Sequence, residues 1–292
     1  SFFYKEINTT KDDSLFYRKR VTMTQKTLLR LEALVNILCS IIDDLLESID
    51  IPFFDIPHAD MGDGRTAQEV AFNFRNTLNL PSGPVRNLIS LLEKHGVIVL
   101  FMEMEEKFDG LTKFTSNAQP VMFINSIISD DRKRFTIAHE LGHLVMHLRE
   151  AVFETDEKVA EIHANEFAAE FLMPARDCRT DLFRLRYTDL PSLKLYWGVS
   201  KAAIIRRAYD LRHITENTYR YYLMTLNKNG ERKRERELIV IEKPVIFKTL
   251  VQMHLSELGY SKSEMEIFLG VKFEELNRTL EMGYGSKLRV VI

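Results

Sequence analysis

The sequence predicts an α+β fold that is mostly helical. Three observations predict it: long stretches repeat apolar residues every three or four positions, three short β-rich runs fall between residues 97 and 125, and Pro and Gly punctuate the boundaries. From Thr24 to Ile49 the stripe Leu28, Leu31, Leu34, Leu38, Ile41, Leu45, Ile49 predicts one long amphipathic helix. Its apolar face serves the core, a partner or a dimer. Pro52, Pro57 and the Gly62–Gly64 turn break the pattern. Helices are predicted over Thr66–Leu78 and, after the Pro81–Pro84 turn, over Val85–His95. Strands follow at Val97–Met102, Gly110–Thr115 and Val121–Asn125. Two further helices cover Arg134–His147 and Thr155 to Pro174, with Thr155 as N-cap. Residues 193–211 read as helix, Gly-containing turn and helix, with Ser200 as a cap. Lys228–Arg236 is a charged linker, residues 244–280 a helical pair about Gly259–Ser261, and Leu288–Ile292 a short terminal strand. The expected domains are 1–58, an N-terminal segment with the long helix; 59–176, a central domain that holds the three strands; 177–230, a helix-turn-helix-like region; and 231–292, a mostly helical C-terminal region.

Composition narrows the function. Forty Lys and Arg against 42 Asp and Glu give a net charge of −2, so no global basic field draws the chain to nucleic acid. No uninterrupted apolar run of ~18 residues predicts a transmembrane helix, and the N-terminus carries no signal-peptide pattern. Two distant cysteines, Cys39 and Cys178, fit a reducing compartment and buried apolar positions. The first residue is Ser rather than Met, as in a processed or truncated chain.

The chemistry concentrates in His139-Glu-Leu-Gly-His143. On a helix, residues i and i+4 stack on one face, so both imidazoles can reach one metal ion. Glu140 is rotated by about 100° from His139 and can face a water without ligating the metal. This is the arrangement of a zinc peptidase, with two neutral His ligands and a carboxylate general base. The flanking Ile137, Ala138, Leu141, Leu144 and Val145 bury the helix, and buried ionisable groups are normally paired or metal-bound.

A third ligand is available on the next helix. Glu161, Ala164, Asn165 and Ala168 share one face, and the alanines allow close approach, so Glu161 can complete a His₂Glu site with one position left for water. Glu157, Glu166 and Glu170 compete on other faces. Asn165 can hydrogen-bond a ligand imidazole or the local backbone. His147 continues the histidine stripe and His163 lies off the Glu161 face; both are expected to pack. The spacing lacks the Gly and third His of metzincins. A His₂Glu site takes Zn²⁺, and also Mn²⁺ or another divalent ion.

Two further features bear on partners. The strand Val121, Met122, Phe123, Ile124, Asn125 is a candidate to pair with an extended peptide substrate, against the alternative of an internal sheet strand. Lys201, Arg206 and Arg207 on the second helix of the 193–211 hairpin are candidate nucleic-acid contacts, against the alternative that the hairpin only packs.

The run Phe135-Thr-Ile-Ala-His-Glu-Leu-Gly-His-Leu-Val-Met-His147, followed by Glu161-x-x-x-Asn165-x-Phe-Ala-Ala-Glu-Phe-Leu-Met-Pro174, resembles the ImmA/IrrE metallopeptidase family. Gly83–Val99 and Trp197–Ala208 are similar to it as well, so the resemblance covers roughly residues 65 to 225. It implies a thermolysin-like zincin core with a small sheet beside the metal helix, in a cytoplasmic bacterial or phage protein. It also implies cleavage of a helix-turn-helix repressor that controls stress-response, phage or mobile-element genes. Ligands carry over onto His139, His143 and Glu161 and the base onto Glu140; no residue here is assigned as the transition-state electrophile. Longer members often carry an N-terminal helix-turn-helix DNA-binding domain, which would supply DNA contacts that this chain lacks. The expected function is metal-dependent endoproteolysis. The alternatives are a metal-binding transcriptional regulator or sensor that does not cut, and a DNA-binding regulator acting through residues 193–211. No membrane partner is expected, and a homodimer through the first long helix stays open.

Overall fold

The computed structural model describes residues 24–59, 61, 64–105, 108–147, 156–232 and 234–280. In chain order these form α1 (Gln25–Leu46), α2 (Ala67–Thr77), α3 (Leu88–Lys94), β1 (Ile98–Met102), β2 (Gly110–Phe114), β3 (Pro120–Asn125), α4 (Asp130–Met146), α5 (Glu157–Leu172), α6 (Ala175–Leu182), a 3₁₀ turn at Tyr187–Asp189, α7 (Leu190–Trp197), α8 (Lys201–Asp210), α9 (Glu216–Lys228), α10 (Ile246–Ser256), α11 (Lys262–Leu269) and α12 (Phe273–Leu280). The fold is α+β and mostly helical, as expected. Among the described residues no helix is long and apolar enough to cross a membrane. The expected strand at Leu288–Ile292 and the Thr155 cap lie outside the described residues.

The chain divides into two units, each discontinuous in sequence. One gathers the described residues within 1–55, 89–127 and 243–292; the other gathers 56–88 and 128–242. Packing therefore does not follow the expected linear division at 58, 176 and 230.

In the first unit, Thr24 caps α1 by accepting a hydrogen bond from the Thr27 amide at 3.3 Å. The α1 stripe Leu31, Val35, Leu38, Ile42 and Leu45 is buried in one cluster with Ile98, Leu100, Val121 and Phe123 of the sheet and with Phe247, Leu250, Leu276 and Leu280. Its apolar face thus packs in the core of this unit, the first of the readings open to it. The sheet order is β1-β3-β2, with β1 parallel and β2 antiparallel to β3. The candidate substrate strand is therefore corrected: Val121, Met122, Phe123, Ile124 and Asn125 pair on both sides, from Ile98↔Val121 to Met102↔Asn125 and from Lys113↔Val121 to Gly110↔Ile124. No free edge remains there for a peptide. Asn125 is fully buried; it accepts from the Met104 amide at 3.1 Å and donates to the Phe108 carbonyl at 2.7 Å. Its amide ties Met104 to Phe108.

The second unit is helical. Residues Ile137 to Met146 of α4 are buried without a break, so this helix forms its centre. The Phe74 ring on α2 lies 6.0 Å from those of Phe167 and Phe171 on α5. Two arginines staple loops to this core. Arg75 donates to the carbonyls of Phe171, Pro81 and Gly83 at 2.7–2.8 Å. Arg134 donates to Val85 at 2.6 Å, Gly198 at 2.9 Å and Arg86 at 3.3 Å. Because the guanidinium takes the Val85 and Arg86 carbonyls, α3 starts at Leu88 rather than Val85. Gly198, at φ +67°, ends α7, and an added Cβ would meet Arg134 Nε at 2.9 Å. α7 and α8 follow one another across a short turn at Gly198, with Ser200 capping α8 through the Ala203 amide at 3.1 Å.

Candidate metal centre

α4 carries His139, Glu140 and His143, and α5 carries Glu161 and Asn165. The two helices touch where Gly142 faces Ala164. A Cβ on Gly142 would sit 3.2 Å from Ala164 Cα and 3.2 Å from Phe167 Cβ, tighter than ordinary contact. This small-residue crossing lets the Glu161 side chain reach the two imidazoles.

The three side chains converge. His139 Nε2 and His143 Nε2 are 3.1 Å apart, His143 Nε2 and Glu161 Oε1 3.3 Å, and His139 Nε2 and Glu161 Oε2 3.6 Å. With metal–ligand bonds of 2.0–2.2 Å, the edge of a tetrahedral coordination shell is about 3.3 Å. The donor set therefore fits one ion held by two nitrogens and a carboxylate. Among the described residues, this trio is the His, Cys and acidic cluster able to hold a metal.

Asn165 fixes the ligand's tautomer. Its Nδ2 donates to the Glu161 carbonyl at 2.8 Å, so its Oδ1 must face His139 Nδ1, 3.1 Å away. An amide oxygen only accepts, so His139 carries its proton on Nδ1 and presents a lone pair at Nε2. Burial pushes the Glu161 carboxyl up, but with His139 and His143 protonated toward it, as they can be in the absence of an ion, their hydrogen bonds and charge outweigh burial and hold the group well below the ordinary carboxylate range. Glu161 is thus anionic, as a ligand must be.

The competing carboxylates are placed elsewhere. Glu170 pairs with the Arg207 guanidinium and accepts from the Ala175 amide at 3.0 Å. Glu157 is exposed in the first turn of α5, where Asp156 is the cap. Glu166 lines a groove described below. His147 and His163 stack with ring centroids 5.6 Å apart, and His147 lies 5.8 Å from His143. Burial, aided by His143, His163 and His58, pushes His147 down to about 3, so it is neutral. Cys39 and Cys178 are buried and form no disulfide; burial pushes the Cys178 thiol up to about 11, away from thiolate chemistry.

The candidate nucleic-acid contacts are corrected. Lys201 is 2% exposed and pairs with Glu231 at 2.7 Å and Glu237 at 2.5 Å. Arg207 is buried against Glu170 and the Met173 carbonyl. Only Arg206 is exposed, and it pairs with Asp210 at 2.9 Å. A buried, neutralised ammonium cannot contact phosphate.

One feature escaped the sequence. A groove of about 1260 Å³ has walls from α4, α5, α8 and residues 231–240; it reaches Asn165, the partner of His139, while His139, Glu140, His143 and Glu161 themselves do not line it. Phe135, one helical turn before His139, and Ile162 and Asn165, flanking Glu161, line it. Its walls come from four separated segments, so no local pattern announces it.

A His-Glu-x-x-His helix completed by a carboxylate on the following helix defines the class of metal-dependent peptidases. Residues 92–209 match the family model Peptidase_M78, described as an IrrE N-terminal-like domain, so this stretch is similar to that family. That stretch holds β1 to β3 and every residue of the metal trio. No curated protein matches the chain at a significant level. Among solved structures, a Mycobacterium tuberculosis transcriptional regulator is similar at 18% identity with a TM-score of 0.36, over 48% of this chain and 45% of that one. The match thus spans less than half of the regulator's length.

Proposed function

We propose that this chain is a zinc-dependent endopeptidase of the HExxH-plus-Glu type that cleaves a specific protein partner, a helix-turn-helix transcriptional repressor, and so relieves repression. The observation that carries it is the trio of donors 3.1–3.6 Å apart, with an anionic Glu161 and a His139 tautomer set by Asn165. The family match over the same residues supports it.

His139, His143 and Glu161 would hold the ion, which when bound supplies a Lewis acid and a water acidified toward ~7. Glu140, on the same helix, takes the proton of the attacking water and passes it to the leaving amine. Asn165 keeps His139 oriented by holding its Nδ1 proton. Three protein ligands leave a position open, which favours chemistry over a closed structural site. The repressor as substrate follows from the family resemblance.

Metal content by mass spectrometry and cleavage together test it. The wild-type chain should hold near one equivalent of metal and Glu161→Ala should lose it. Zinc-loaded wild type, mixed with helix-turn-helix repressors from its own genome, should cut one at a discrete position. Glu140→Gln should keep the metal and lose the cut. Retained turnover in that variant would refute the role of Glu140, and metal-bound wild type that cuts none would leave a binding module.

A further inference from the structure

The wall of the groove formed by residues 235–241 is built unlike the rest of the unit. Its exposure alternates: Arg236, Leu238 and Val240 face out, while Glu235, Glu237, Ile239 and Ile241 turn in. Period-two alternation is the mark of an extended segment. Both ends are pinned. Glu235 accepts from the Lys201 amide at 3.0 Å and pairs with the Lys194 ammonium at 2.9 Å, and Glu237 pairs with Lys201. At the other end, the Ile241 amide donates to Asp130 at the start of α4, at 3.1 Å.

Between these anchors, the backbone groups of Leu238, Ile239 and Val240 have no hydrogen-bond partner among the described residues. Leu238 and Val240 are 73% and 88% exposed, and Ile162, beside the ligand Glu161, is 54% exposed. All three line the same groove. An extended backbone with unmatched donors and acceptors is a template for strand pairing. Its volume exceeds the ~300–1,000 Å³ usual for small-molecule sites.

We propose that Leu238–Val240 is the strand on which the protein substrate is laid out beside the metal centre. The occupant is an extended segment of a partner protein with aliphatic side chains at alternate positions. Its backbone completes the free edge, its aliphatic groups meet Leu238 and Val240 as cross-strand neighbours do, and Ile162 on α5 lines the same groove. The proposal rests on the peptidase reading above and replaces β3 as the substrate strand.

The test uses the full chain, zinc-loaded and silenced by Glu140→Gln, with a soluble decapeptide alternating valine and lysine as probe. Hydrogen exchange read by mass spectrometry should show one alternate set of the 238–240 amides, either 239 or both 238 and 240, slowed at least tenfold on saturation. A backbone N-methylated version of the peptide should give no slowing. Proline at 239 and proline at 240 provide the second readout, since neither amide is bonded to a described residue. N–H groups of a strand alternate in direction, so one variant should weaken binding at least tenfold and the other should not. Protection confined to α4 and α5, equal effects of the two prolines, or no binding at millimolar peptide would each overturn the strand. The peptidase reading fails separately, if wild type holds no metal or cuts no repressor.

Discussion

Gly142→Ala is the substitution in which packing and chemistry separate most clearly. In an ordinary buried helix, replacing Gly by Ala stabilises by about 1 kcal/mol through backbone propensity. Here the new methyl meets Ala164 Cα and two atoms of Phe167 at 3.2 Å. Relief requires α5 to retreat by a few tenths of an ångström, and overpacking of this kind costs about 1–3 kcal/mol. The two effects leave the metal-free protein destabilised by roughly 0–2 kcal/mol. Metal affinity has no such offset. Glu161 rides on α5 and is already 3.3 and 3.6 Å from the two imidazole nitrogens, so retreat of α5 stretches the donor set. The expected result is a zinc dissociation constant raised about tenfold or more, the change that ~1.4 kcal/mol produces, with thermal stability of the metal-free form little altered. Competition against a chelating dye and calorimetry of the metal-free protein read the two quantities. A variant stabilised by the full propensity gain with unchanged zinc affinity would refute the close crossing of α4 and α5.

Asn165→Ala should weaken zinc about 10–100-fold, as loss of a partner to a ligand histidine does; unchanged affinity in a chelator competition would sink the tautomer assignment. His147 gives a pH dependence. Its folded value lies near 3, below the ordinary 6.5, so the unfolded chain protonates first. Its contribution is therefore fully present above about pH 6.5 and is lost as pH falls toward 3, up to roughly 5 kcal/mol. Denaturant titrations of the metal-free protein should show this slope, and His147→Gln should flatten it; an equal slope in both would refute burial as its cause. Lys201→Met should cost about 3–5 kcal/mol by stranding Glu231 and Glu237, whereas Arg206→Ala, an exposed pair, should cost less than about 1 kcal/mol; chemical denaturation distinguishes them.

The metal trio was legible because its determinants are local. His139 and His143 are one turn apart on α4, and Glu161 and Asn165 one turn apart on α5, so helical periodicity alone pairs them. The apolar stripe of α1 and the three strands were legible for the same reason. Polar helices were not. α6 spans only eight residues and α9 fully buries only Leu226, and α4 begins at Asp130 because Asp130–Lys133 are helical without being apolar. The remaining misses are long-range. Nothing near Val121–Asn125 tells that both edges are occupied. Lys201 reads as a surface cation until Glu231 and Glu237, 30 residues or more away, are seen to bury it. The shortened α3 depends on Arg134, 48 residues away from Arg86.

The interleaving of the two units has a consequence for biosynthesis. Every segment of the unit that holds the metal trio has been translated by residue 242, whereas the other unit needs residues beyond 243. A chain made from its N-terminus therefore spends that interval with Leu38, Ile42, Ile98 and Phe123 lacking their partners Phe247, Leu250 and Leu276. Contacts at such sequence separation form slowly and leave apolar surface open to chaperones and to aggregation. Nascent chains stalled just after residue 242 should therefore already take up zinc while still displaying the sticky half of an unfinished protein.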